Sequence, residues 1–358
     1  MSRGTGFPQD ICFKMRSPFL VASWHRGARS LSSKERTMFA LVFDRVGEPR
    51  EVLRLADVPQ PQPGPRDVLI AVRARVIQPA DGMFIAGRYR VKPSFPQVAG
   101  FDATGVVERV GAEVGHVRVG QRVGFRYPGA WADFAVAPAA RVYPVPDDLS
   151  AQLDDGVVCQ FGLNPLTAWG LLDVARLPQG ARVLVTAGHS VVAGLLGHLA
   201  QQRGLVAERL VRAGDSHSLL DASGTQILAQ ADDVAQTLAA VAPYDAVLDA
   251  VGGPGVPALI AATVPGGRLV SYGVLDDRPF EMHAATMVYR NLSWQGFGID
   301  GWLNQCEAAT LARAQRECWE LLSRHPELVP VAARHPMRDF DTALAAASAG
   351  KGGKILLV

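Results

Sequence analysis

Along residues 38–160 the apolar positions come in short runs cut by glycine and proline. Phe39–Asp44 opens the series, Val68–Val76 alternates apolar and polar, and Gly105–Val110, Val123–Arg126 and Phe134–Ala137 follow. Between them stand Pro61-Gln-Pro-Gly-Pro65, Gly111, Gly115, Gly120 and Pro128-Gly129. Short runs with such breaks predict a small β-barrel or sandwich.

Near residue 150 the texture changes. Ala151–Leu172 reads as helix interrupted at Asn164-Pro165. Strand and helix patterns then alternate: strand 182–186, helix 190–203, strand 205–211, helix about 215–222, a short run 225–228, helix 231–242, strand Ala246–Val251, helix 255–264 and strand Arg268–Tyr272. Alternation of this kind predicts a parallel, doubly wound sheet. The tail carries helical patterns at about 304–324 and 340–349, then a strand Lys354–Val358 expected to rejoin the β domain. Residues 1–37 show no periodicity and are Arg- and Ser-rich. They read as an unstructured extension, either an upstream start before Met38 or a mitochondrial transit peptide.

The centre of the alternating region is 181–212, a strand, a turn of small residues, a helix stopped near Gly204 and a second strand. The size is that of a βαβ crossover. Its turn, Gly188-His189-Ser190-Val191-Val192-Ala193, leaves room for a backbone to approach a pyrophosphate, and a helix N-terminus favours the anion. Arg212 lies nineteen residues past Ala193, at the end of the second strand. That is where a cation marks preference for a 2′-phosphate.

Composition narrows the classes. The 358 residues are 48% hydrophobic and 20% charged, with net charge +2, an ordinary globular chain of about two domains. The small net charge gives no reason to expect nucleic acid, and no apolar run reaches the roughly 18 residues of a membrane span. Cys12, Cys159, Cys306 and Cys318 show no CxxC spacing, which suits a reducing cytoplasm.

Several segments together resemble the medium-chain dehydrogenase/reductase superfamily. They are Gln78-Pro-Ala-Asp81 with Gly87-Arg-Tyr89, Ala99-Gly-Phe-Asp-Ala-Thr-Gly105 running on to Gly111, Gly120-Gln-Arg-Val123, Asn164-Pro-Leu-Thr167-Ala-Trp169, Leu210-Val-Arg212, Asp249-Ala-Val-Gly-Gly253, Gly266–Gly273 and Arg290–Phe297. They are most similar to the zinc-independent quinone oxidoreductase and 2-enoyl thioester reductase-like branch. The resemblance implies a Rossmann sheet inserted into a GroES-like β-barrel domain. The expected boundaries are 1–37 extension, 38–162 GroES-like domain, 163–297 Rossmann domain and 298–358 return to the β domain.

The same resemblance supplies candidate roles. NADP(H) is the expected cofactor, contacted by Asn164, Thr167, Gly188, His189, Ser190, Val191, Val192, Arg212, Tyr272, Gly273, Phe297, Gly298 and Ile299. Relatives carry glycine where this chain has Val191, so weaker cofactor binding is expected. Tyr89 is the expected proton donor and Trp302 a wall of the substrate pocket. No metal is expected, because Gln78 and Phe101 stand where zinc-dependent members carry Cys and His, and a phenyl ring ligates nothing. The expected activity is NADPH-dependent reduction of quinones or α,β-unsaturated carbonyls. The alternatives are enoyl thioester reduction and a non-catalytic NADPH-binding role. The expected partners are a small-molecule substrate and, from the family, a second copy of the chain.

Overall fold

A computed structural model describes residues 36–358 except 215, 232 and 351. The first lobe contains β1 (Thr37–Phe43), β2 (Arg54–Pro59), β3 (Asp67–Val76), β4 (Gln97–Val98), β5 (Asp102–Val110), β6 (Arg122–Arg126), β7 (Phe134–Pro138) and β8 (Val142–Pro144). Helices α1 (Pro49–Val52) and α2 (Pro79–Ile85) are set between its strands, and α3 (Asp155–Val158) follows them. The central strand β3 pairs antiparallel with β5, β7 and, from the far end of the chain, β17 (Lys354–Leu357). Parallel pairing then adds β16 (Val331–His335), giving the order β16-β17-β3-β5-β6-β8, while β2-β1-β4 form a smaller sheet. Leu41, Phe43, Ile70, Phe84, Phe101, Phe125 and Trp131 fill the space inside. A second β-rich feature is thus a chain end that returns to it, with α11 (Phe340–Ala349) packed on β17.

The second lobe is a seven-stranded sheet of order β12-β11-β10-β9-β13-β14-β15. Its strands are β9 (Arg182–Val185), β10 (Val206–Ala213), β11 (Ser216–Leu220), β12 (Gln226–Ala231), β13 (Tyr244–Asp249), β14 (Thr263–Ser271) and β15 (Ser293–Gly296). From β10 to β15 every pairing is parallel, the doubly wound arrangement expected. Helices α4 (Asn164–Ala175), α5 (Val191–Gln202), α6 (Val234–Ala239), α7 (Val256–Ala261), α8 (Ala284–Arg290), α9 (Ile299–Gln305) and α10 (Ala308–Arg324) cover it. Within the segment 298–358, α9 and α10 pack on α4, while β16, α11 and β17 join the first lobe. Val183, Leu184 and Val185 are fully buried, as a strand covered on both faces requires. No helix among the described residues is long and apolar enough to cross a membrane.

One expectation is overturned. The helix expected at about 215–222 is strand β11, and the run 225–228 belongs to β12; both pair antiparallel. Turn chemistry is the reason. Gly214 takes φ +63 and Gly224 φ +97, and the Asp221 carboxylate accepts from Thr225 N at 2.9 Å and Ser223 Oγ at 2.6 Å. Two tight turns ten residues apart leave about five residues between them, enough for a strand and too few for a stable helix. The helices expected at 231–242 and 255–264 are also shorter than the patterns suggested, at Val234–Ala239 and Val256–Ala261. Of residues 1–37 only Arg36 and Thr37 are described, and Thr37 already opens β1; the choice between extension and transit peptide lies outside the described residues.

Candidate active site

The strand order reverses direction between β9 and β13, and in such sheets ligands sit in the crevice beyond the carboxyl ends at that point. Those ends are tied together. Thr186 Oγ1 donates to Asp249 Oδ1 at 2.7 Å and accepts from Ala250 N at 2.8 Å. Asp249 in turn accepts from the amides of Val251 and Gly252, each at 3.0 Å. Buried charge and backbone donors thereby fix both rims of the crevice.

The turn after β9 is shaped by close approach. Ala187 holds φ +51, and the Gly188 amide donates to Leu210 O at 2.8 Å. A Cβ on Gly188 would stand 2.7 Å from Val211 Cγ1 and 2.9 Å from Leu210 O, so β10 dictates the glycine. Ser190 caps α5, its hydroxyl accepting from Ala193 N at 3.2 Å. The first-turn amides of Val191 and Val192 have no intrahelical acceptor and remain for an anion. Both valine side chains are half-buried against the core, and His189 is exposed. Arg212 is exposed at the end of β10, opposite His217 in the hairpin. These placements suit a dinucleotide: small turn, capped helix, and a cation at the neighbouring strand end.

Two of the candidate residues carry buried polar atoms without a partner. Thr167 Oγ1 is buried with no partner, on the first turn of α4 beside buried Asn164. The Tyr272 hydroxyl lies near Ser190 yet makes no hydrogen bond of normal geometry. Burial, and then the charge of Asp249, pushes this phenol well above its ordinary range. Gly273 presses on Ala250 O, where a Cβ would stand 2.6 Å away. Phe297 and Trp302 pack against α4 so closely that a Cβ on Gly170 would meet Phe297 Cζ at 2.9 Å and Trp302 Cδ2 at 3.0 Å. Gly298 faces open space, while Ile299 is buried. Trp302, the expected pocket wall, stands on α9 beside α4. Its indole donates to Asp173 at 3.0 Å, leans on Trp169 and is 8% exposed, a core position.

On the opposite lobe Tyr89 follows α2, its amide donating to Met83 O at 3.0 Å. Its ring packs 5.4 Å from that of Phe101, and the Arg90 guanidinium lies 5.4 Å over it. Arg126 Nη2 donates to the Tyr89 hydroxyl at 3.3 Å, and Arg126 Nη1 is bonded to Asp102. Arg90 also pairs with Asp300, which lies 3.7 Å from Arg141, while Arg141 Nη2 donates to Asn304 Oδ1 at 2.8 Å. Asp300 is the second residue of α9. Through it, the Tyr89 loop is latched to the segment Phe297-Gly298-Ile299, so candidates from both lobes meet. Asp300→Ala is expected to raise the KM of an acceptor roughly fivefold, the scale of about 1 kcal/mol for one partly buried pair. Steady-state kinetics would show it; an unchanged KM would mean the lobes need no latch.

Beneath Tyr89 lie two fully buried carboxyls. Asp81 is pushed up to about 7 by burial and then by the charge of Asp102, despite the Gln78 amide donating to it at 2.7 Å. Asp102 is pushed up to about 6 by burial, opposed by Arg126. Both carboxyls bind protons more tightly folded than unfolded. Their contribution to stability is fully present below the ordinary carboxylate range and is lost as pH rises through 6 to 7. The melting temperature of Asp81→Asn is therefore expected to fall less between pH 5 and 8 than that of the natural chain. Parallel curves would contradict it.

Comparison with known proteins gives the architecture its relatives. Residues 64–147 match the alcohol dehydrogenase GroES-like domain. Over 339 residues the chain is 25% identical to the mitochondrial enoyl-[acyl-carrier-protein] reductase of Xenopus tropicalis, covering 90% of this chain and 93% of that one. A solved mycobacterial quinone oxidoreductase superposes with TM-score 0.76 at 25% identity, covering 90% of this chain and 99% of the other. A mycobacterial protein solved in complex with NADPH gives TM-score 0.73 at 26% identity, with the same coverage. In sequence and fold the chain is similar to members of the medium-chain dehydrogenase/reductase superfamily. The similarity is to enoyl reductases and quinone oxidoreductases, and it supports an NAD(P)-dependent oxidoreductase.

Gln78 and Phe101 are both buried in the first lobe, and Phe101 is in contact with the rings of Phe84 and Tyr89. The sequence reading missed Arg126, Asp102, Asp300 and Arg141. A charged residue closing the apolar run Val123–Phe125 was the available signal for Arg126; nothing local distinguished Asp300 from a solvated helix-start acid.

Proposed function

We propose that this chain uses NADPH to reduce quinones or α,β-unsaturated carbonyls without a metal, with Tyr89 as proton donor. The observation that carries the reading is the Tyr89 phenol, held by Arg126 in one lobe and latched through Arg90 and Asp300 to the glycine-rich segment of the other. Bound NADPH would supply the hydride to the β-carbon of the acceptor. The remaining work falls to side chains. Arg212 holds the 2′-phosphate, the first turn of α5 receives the pyrophosphate, and Asn164 and Thr167 offer a buried amide and an orphan hydroxyl to the carboxamide. Tyr89 gives its proton to the enolate, and the two lobes exclude water around both groups.

A second reading narrows the acceptor to an enoyl thioester. It is favoured by the similarity to enoyl-[acyl-carrier-protein] reductases. Following NADPH oxidation against a quinone, a simple enone and crotonyl-CoA decides between them. Turnover of the thioester alone selects the second reading, and silence with every acceptor overturns both.

The proposed assembly is a homodimer. All four residues of the edge strand β15 are exposed, and Val288, Tyr289 and Trp294 beside or on it present apolar surface. Light scattering should give about twice the mass of one chain. The proposed compartment is the cytoplasm, with a mitochondrial address as the alternative; fractionation of the expressing cell separates them.

A further inference from the structure

Arg126 is an unusual residue to find where it stands. It closes β6, directly opposite Asp102 of β5 in the strand register, and is 5% exposed. Its guanidinium lies 5.2 Å over the Phe101 ring. The chain at Gly162 closes over the pair, since a Cβ there would meet Arg126 Cβ at 2.7 Å and Asp102 Oδ1 at 3.3 Å. A guanidinium sealed in this way must be neutralised, and Asp102 does so.

The neutralisation uses only one of its terminal nitrogens. Nη1 serves Asp102, while Nη2 is directed at the Tyr89 hydroxyl, 3.3 Å away. A guanidinium has donors only, so the phenol oxygen accepts here and its own proton stays available for another group. Asp102 Oδ1 makes no hydrogen bond, so the carboxylate is not saturated by structural partners that would explain the arrangement by themselves.

We propose that Arg126 is a positioning residue for proton transfer, a fixed cation that acts on the substrate only through Tyr89. The inference rests on Tyr89 being the proton donor. In the step, the phenol O–H bond breaks, the proton goes to the enolate formed when hydride from NADPH reaches the β-carbon, and the electron pair stays on the phenol oxygen. That oxygen then faces Arg126 until a solvent proton restores the phenol. Charge develops next to a preorganised donor that is itself buried, where such donors have their largest effect. Arg126 therefore orients the phenol before transfer and holds the phenolate after it.

The test is a double-mutant cycle on the full chain with NADPH and an accepted enone or quinone. Arg126→Met alone would strand the buried Asp102 charge, so the informative variant is Arg126→Met with Asp102→Asn, beside Arg126→Lys. The paired variant is expected to lower kcat about 10- to 100-fold, with the NADPH dissociation constant and acceptor KM little changed. In a Tyr89→Phe background the same pair is expected to cost less than about twofold, since the group it acts through is gone. Arg126→Lys, which keeps the cation, is expected to recover most of the loss. Equal losses in both backgrounds would overturn the proposal, because a purely structural role is indifferent to the phenol. Full turnover by Tyr89→Phe alone would instead remove the donor assignment on which the proposal stands.

Discussion

Tyr89→Phe is expected to lower kcat for enone or quinone reduction by about 10²- to 10³-fold, the usual worth of one positioned acid. Removing the hydroxyl leaves the ring in contact with Phe101 and beneath Arg90, so the loop and its Asp300 latch should survive. The NADPH dissociation constant should be unchanged, because the candidate cofactor groups lie on the other lobe. The loss would then appear in kcat and kcat/KM alike, the signature of an interaction made only in the transition state. Retention of full turnover would defeat the assignment of Tyr89, and a parallel loss of NADPH affinity would mean that its role is to hold the cleft closed.

The second large effect is expected at Arg212. Arg212→Ser should weaken NADPH binding by about 10- to 100-fold while leaving NADH affinity nearly unchanged, since only NADPH loses a charge-assisted phosphate contact. The surroundings support a single decisive cation. Asp276 is drawn down to about 2, first by its bonds to Arg278 and least by the charge of Arg212, so Arg278 is already engaged and Arg212 is the freer of the two. His217, opposite Arg212, is shifted down by burial and then by Arg212 itself, which makes it a poor substitute cation at neutral pH. Fluorescence titration with both cofactors reads the result. Equal losses would show that Arg212 shapes the hairpin and does not read the phosphate.

Much of the frame was legible in the sequence, and the reasons are local. The β9 run Arg182–Val185, its turn and α5 announce themselves because buried parallel strands and capped helices leave unambiguous patterns over a few residues. Strand β11 was misread as helix because Ser216–Leu220 carries no strong periodicity; the deciding information sat in Gly214 and in the Asp221-Ala-Ser-Gly224 turn. The site itself was half legible. Tyr89 and the Gly188–Ser190 turn came from motifs, whereas Arg126, Asp102 and Asp300 became meaningful only once folding brought residues 24 to 210 positions apart into contact.

These features converge on one central claim, that hydride passes from NADPH to the β-carbon of an activated acceptor and that the matching proton comes by way of Tyr89. The most direct measurement is isotopic. Reduction of a simple enone with NADPH deuterated at the reactive face of C4, in ordinary water, should place one deuterium on the β-carbon and none on the α-carbon; unlabelled NADPH in heavy water should give the reverse. Product carrying no deuterium from labelled NADPH, with labelling at either C4 face, would contradict the account.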